Sequence, residues 1–118
     1  FDAAKHYPEM RLPELFDGFS REQYEHPIPY PETSSPQAWA AGSMLQLFRS
    51  NLGLHADASL NQLLLWKPSI PPELNYATVR GVPVGSNRVD LTFNRGTNGL
   101  TNVSVLNNPG NVDVRVEQ

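Results

Sequence analysis

Six prolines fall within the first 36 residues, at Pro8, Pro13, Pro27, Pro29, Pro31 and Pro36. Each fixes φ and removes a backbone donor, so the first third can sustain neither a long helix nor a central strand. It has to run as an extended, winding loop. Phe16, Phe19, Tyr24, Ile28 and Tyr30 lie between those prolines. Flexible linkers rarely carry so many large apolar groups, so this loop is expected to be ordered and to pack.

A helix is well marked after the loop. Ser34 and Ser35 offer cap oxygens, Pro36 suits a first helical position, and Gln37 stands three after Ser34 as in a capping box. Ala41, Leu45, Phe48 and Leu52 then recur at helical spacing, widened by Ala40, Met44 and Leu47. That stripe predicts a largely buried helix. Gly53 is placed to end it in the left-handed conformation, with Leu54 packing back on the last turn.

Beyond Ala58 the pattern turns to short strand-like runs over 62–66, 76–80, 88–93, 102–106 and 112–116. Val89-Asp90-Leu91-Thr92-Phe93 and Val112-Asp113-Val114-Arg115-Val116 alternate strictly, as strands with one buried face do. Asn- and Gly-rich segments at 85–87, 96–99 and 107–111 separate the runs as turns and suggest antiparallel hairpins. The reading is an α+β chain in two parts. Residues 1–58 hold the Pro-rich loop and a helix, and residues 59–118 form an antiparallel meander or half-sandwich of about five strands.

Composition narrows the chemistry. A formal net charge of −3 over 118 residues leaves no excess of Lys and Arg for phosphates, so nucleic acid and anionic membrane are poor partners. No run approaches the roughly 20 apolar residues that span a bilayer, and the first residues are not a secretion signal. With no cysteine there is neither a disulfide framework nor thiolate chemistry, and a cytoplasmic setting is the expectation. His6, His26 and His55 stand at no ligand spacing, so neither a metal nor another cofactor is expected. A chain that opens on Phe1 is expected to be a piece of a longer protein.

Acidic residues crowd the loop: Asp2, Glu9, Glu14, Asp17, Glu22, Glu25 and Glu32. Most charges of this kind form a solvated surface. Glu14 differs because Leu12, Pro13, Leu15 and Phe16 bracket it, which predicts partial burial. Such a carboxylate is either tuned for proton transfer or tied to Arg11 in a salt bridge. Tyr30, Gln37 and Trp39 gather near the helix start. Aromatic faces and an amide suit a sugar ring, although core packing of Trp39 is the plainer reading.

Arg11-Leu12-Pro13-Glu14-Leu15-Phe16-Asp17-Gly18, the Pro-rich loop, and Ser35-Pro36-Gln37-Ala38-Trp39-Ala40-Ala41-Gly42 together resemble the C-terminal region of bacterial amylo-α-1,6-glucosidases of the glycogen-debranching type. Lys67-Pro68-Ser69-Ile70-Pro71, the segment 80–85 and the segment 89–93 look like the β tail of those proteins. The resemblance implies that the last helix or helices of an α/α toroid precede a small antiparallel sheet. It also implies inverting hydrolysis of α-glucosidic linkages by two carboxylates. Related enzymes carry the general base in a Ser-Glu-Ile-Tyr-Asp-Gly context, and Glu14 stands in its place with Pro13 for the serine. Tyr30, Gln37 and Trp39 would then contact an α-glucan. The acid would lie on a helix outside this chain, leaving the chain inactive alone.

Two other classes stay open. A β unit exposing Trp66, Tyr76 or Phe93 would be a carbohydrate-binding module, and the alternation around Phe93 favours its burial. An apolar helix without its neighbours would make an assembly element that self-associates. Asn102-Val103-Ser104 fits a glycosylation sequon, but a polar strand edge is the better reading.

Overall fold

The computed structural model describes residues 3–118. The chain divides into two compact units, Phe1–Phe48 and Arg49–Gln118.

In the first unit the prolines dictate a folded loop. Two short 3-10 turns, Ala3–His6 and Pro8–Met10, open it. The segment 12–17 then runs antiparallel to the segment 28–37. Leu12 O accepts from Gln37 N–H at 3.0 Å, Ser34 O accepts from Glu14 N–H at 2.9 Å, and Ile28 O accepts from Asp17 N–H at 2.9 Å. Phe16 and Pro29 form a β-bridge within it. Pro29 has no donor to give, and pairing survives because its neighbours carry the bonds. Pro13 is fully buried. The Tyr7 hydroxyl donates to Pro27 O at 2.7 Å, and its ring meets Phe16 edge-on at 5.8 Å. The His6 and His26 rings stack 4.3 Å apart, although 20 residues separate them in the chain.

The helix α1 spans Ala38–Asn51. Its start lies two residues later than the capping-box reading places it. Ser35-Pro36 is a cis peptide, and Gln37 caps instead. The Gln37 carbonyl accepts from Ala41 N–H at 2.9 Å while its side-chain oxygen accepts from Ala38 N–H at 2.7 Å. The C-terminal end follows expectation, with Gly53 at φ 61° and its N–H bonded to Ser50 O. A Cβ on Gly53 would run into the Trp66 backbone, so glycine is required there on two counts.

The expectation of a buried helix is overturned. No residue of α1 is buried, Leu45 is 73% exposed and Trp39 85%. Only Leu52, past the last helical residue, enters a core. Apolar periodicity fixes which face a helix would bury, and here that face is only half-covered, at Ala40, Ala41, Met44 and Phe48.

Six strands follow, numbered β1 (Leu54–Asp57), β2 (Gln62–Trp66), β3 (Tyr76–Val84), β4 (Asn87–Arg95), β5 (Thr101–Asn107) and β6 (Asp113–Glu117). They form two three-stranded sheets in the orders β1-β2-β6 and β3-β4-β5. β2 pairs antiparallel with β1 and parallel with β6, Leu63 opposite Val114 and Leu65 opposite Val116. The second sheet is antiparallel throughout. Its β3 bulges between Val79 and Val82, where Gly81 takes φ 68° and donates its N–H to Asp90 Oδ1.

The core of this unit follows the alternation read from sequence. Val89, Leu91 and Phe93 of β4 are fully buried, as are Leu63 and Leu65 of β2, and Val82, Val84, Ile70 and Val112 join them.

These elements correct the fold class. An α+β chain ending an α/α toroid requires paired helices, and the described residues hold one α-helix and two small sheets, a mainly β fold. The proline spacing of the loop excludes a partner helix before α1. After it, β-branched alternation takes over. A single five-strand meander is likewise replaced by two sheets, because β6 returns to β2 instead of pairing with β5. No helix among the described residues is long and apolar enough to cross a membrane.

Candidate functional site

The paired segments of the first unit bring together three of the four residues singled out from sequence. Glu14 is fixed through its backbone N–H on Ser34, and the next residue donates its N–H to Thr33 Oγ1 at 3.0 Å. Tyr30 is fixed by its N–H on Leu15 O at 3.1 Å, and Gln37 by its N–H on Leu12 O. The result is a small lattice in which the strand-like segment carrying Glu14 is stitched to the segment carrying Tyr30 and Gln37. Trp39 stands two residues further on, in the first turn of α1.

The environment of Glu14 differs from the expectation. Its side chain is exposed, not partly buried, and Arg11 pairs with Glu9 at 2.7 Å. Pro13 is buried, but Glu14, Leu15 and Phe16 after it are all exposed. Apolar neighbours in sequence therefore do not enclose the carboxylate. Tyr30 is 53% exposed and Gln37 half-buried, its side-chain oxygen committed to the helix cap. Among the described residues Trp39 is the most open aromatic, which removes core packing as its role.

The same unit has a concave surface elsewhere. Ala4, Met10, Ala41, Gly42, Met44 and Leu45 line a cleft of about 410 Å³ with the Glu9 and Arg11 ion pair at its side. None of Glu14, Tyr30, Gln37 and Trp39 lines it. The helical half of this cleft was visible in the apolar stripe of α1. The other half, from Ala4 to Arg11, depends on two positive-φ residues, Glu9 and Met10, whose types give no such signal.

The Tyr7 hydroxyl donates to Pro27 O, and burial pushes its phenol above the ordinary value.

On the β unit, Phe93 is buried and belongs to the core. Trp66 is 49% exposed, bordered by His55 and Leu64, and the Lys67 ammonium stands 5.5 Å from its ring centroid. Tyr76 is open on the other sheet. Trp66 and Tyr76 therefore do not form one aromatic row. Among the described residues, no group of three or more His, Asp or Glu side chains gathers as metal ligands would.

Comparison with known proteins returns no match, whether to protein-family models, to curated proteins or to solved structures.

Proposed function

We propose that this chain supplies the general-base half of a glycoside hydrolase site acting on α-glucosidic linkages of glycogen-like glucans, as its resemblance to amylo-α-1,6-glucosidases suggests. The observation that carries the reading is the backbone lattice joining Glu14 to the segment of Tyr30 and Gln37, with an exposed Trp39 just beyond. In the inverting reaction Glu14 takes a proton from water, whose oxygen attacks the anomeric carbon. A carboxylic acid on the opposite side protonates the departing glycosidic oxygen. The two carboxyl groups must stand roughly 6.5–9.5 Å apart, with the sugar between them. A carboxylate open to solvent can hold the water, and the tryptophan face can stack on a glucose ring.

Glu14 alone does not complete such a site, so the acid comes from outside this chain and the isolated chain is inactive. The enzyme works in the cytoplasm, where a cysteine-free chain acting on stored glucan is at home. Glu14→Gln in an active enzyme that contains this chain keeps the side chain's shape and removes the base. Turnover should fall about 10²–10⁴-fold. Retained turnover ends the assignment, and glucose released from a branched α-glucan by the purified chain alone ends the claim of inactivity.

A second reading rests on Trp66. Its exposed ring, with His55 and Leu64 beside it, favours a carbohydrate-binding role for the β unit that needs no Glu14.

A further inference from the structure

Among the ten asparagines of the chain, Asn98 alone is followed by glycine. Asn98 and Gly99 lie in the turn between β4 and β5, and both are exposed. Two backbone bonds close this turn. Gly99 N–H donates to Gly96 O at 3.1 Å, and Gly96 N–H donates to Leu100 O at 2.8 Å. The Asn98 side chain is folded back along it, its Oδ1 accepting from Leu100 N–H at 3.1 Å. A side-chain carbonyl bonded two residues on bridges the peptide between, so the amide carbon of Asn98 is held beside the Gly99 nitrogen. The Leu100 N–H also draws electron density from that carbonyl and opens its carbon to attack. Gly99 takes φ 80° and has no Cβ, and nothing lies within 4 Å of where one would stand, so the flank of its nitrogen is open.

The other asparagines lack this combination, since each is followed by a residue with a side chain. Pro109 after Asn108 has no N–H to lose. Val103 and Val112, after Asn102 and Asn111, are branched next to the nitrogen. The amides of Asn61 and Asn87 are bound, the first to Gly110 O and the second to the Asn61 side-chain oxygen.

We propose that Asn98 is a site of spontaneous backbone modification, converting through a cyclic imide to aspartate and isoaspartate. The Gly99 nitrogen gives its proton to hydroxide and attacks Cγ of Asn98. A C–N bond forms, the Cγ–Nδ2 bond breaks, and Nδ2 leaves as ammonia after taking a proton from water. Water then adds to one of the two imide carbonyls, and the C–N bond at that carbonyl breaks. Opening at the main-chain carbonyl gives isoaspartate, whose backbone runs through the former side chain. Opening at the other gives aspartate. Water enters, ammonia leaves, and nothing is oxidised. Either product adds a negative charge to the turn. Isoaspartate also lengthens the backbone, so the two bonds at Gly96 no longer close together and the strain reaches Thr101, the buried first residue of β5. This site is independent of Glu14 and of any catalytic role.

Ageing the purified chain in mildly alkaline buffer made with heavy-oxygen water, with peptide mapping by mass spectrometry over time, tests it. The peptide holding Asn98 should lose its amide and take up heavy oxygen, while the other asparagines keep theirs. A parallel sample in urea separates the folded turn from the bare sequence, and conversion should proceed in both. Asn98→Gln, whose longer side chain does not form the five-membered imide, should abolish the reaction. Freshly prepared Asn98→Asp keeps an oxygen for Leu100 N–H and should melt with the parent, whereas the purified isoaspartyl form should melt lower. Conversion confined to urea, earlier conversion at another asparagine, persistence in Asn98→Gln, or an isoaspartyl form that melts with the parent overturns the proposal.

Discussion

The side-chain amide of Asn87 donates to the side-chain oxygen of Asn61 at 2.9 Å, joining the turn between β3 and β4 to the turn between β1 and β2. Asn61 passes the link on, its own amide donating to the carbonyls of Gly110 and Asn111 in the turn before β6. Three turns far apart in sequence are thus held by two asparagine amides. Gly110 packs so closely on the Asn87 side chain that a Cβ there would overlap it.

Breaking the link leaves polar groups without partners in a half-buried place. Asn61→Ala and Asn87→Ala are each expected to lower stability by about 1–3 kcal/mol. Because they share one hydrogen bond, the double variant should lose less than the sum. Urea unfolding of the four proteins in a cycle gives the coupling, and strict additivity would mean the Asn61 to Asn87 bond contributes nothing.

Gly53→Ala tests the junction between α1 and β1. The residue sits at φ 61°, its carbonyl accepts from Trp66 N–H at 2.9 Å, and an added Cβ would strike the Trp66 backbone. Left-handed backbone alone costs a non-glycine residue on the order of 1–3 kcal/mol, and the collision adds to it. A melting temperature within a degree of the parent would show that the junction relaxes freely.

Much of the β unit was legible because its physics is local. β2 spans Gln62–Trp66 as read, and the alternation of β4 named Val89, Leu91 and Phe93 as core residues. Gly53 announced the end of α1 for the same reason. β1 was missed, since Leu54-His55-Ala56-Asp57 has only four residues and gains strand geometry from pairing with β2. The parallel pairing of β6 with β2 spans about 50 residues, and no local signal encodes it. The candidate site shows the same division. The lattice around Glu14 uses backbone bonds whose partners the prolines restrict, whereas the exposure of Glu14 was hidden by apolar neighbours, Leu15 and Phe16, that are themselves exposed.

Acid should loosen the β unit through two surface carboxylates. Asp113 is held below the ordinary carboxylate range first by the Arg115 guanidinium, at 2.8 Å, and then by the Gln62 amide, at 3.1 Å. Asp57 is lowered chiefly by the Ser59 hydroxyl, then by Leu60 N–H. A carboxyl group with a depressed folded-state value adds stability that is complete above the unfolded value of about 3.9. That stability is lost as pH falls through the lower, folded value. The urea midpoint should therefore decline below about pH 4, and less steeply in Asp113→Asn and Asp57→Asn. Asp113 is exposed and held by the Arg115 charge, so molar salt should shrink its difference. Identical acid profiles for parent and variants would show that these contacts do not persist in solution.

Trp39 separates a role in folding from a role in recognition. At 85% exposure its ring contributes little to any core, so Trp39→Ala should change stability by no more than about 0.5 kcal/mol. Leu52→Ala, by contrast, empties a buried position and should cost about 2–5 kcal/mol. If the tryptophan stacks on glucose, titration with a linear maltooligosaccharide should quench fluorescence in the parent and in Trp66→Ala but not in Trp39→Ala. Loss of the response in Trp66→Ala alone would move sugar contact to the outer face of β2 and favour a binding module. Loss in neither variant would remove both aromatic residues from the account, leaving Glu14 without a platform to present it with substrate.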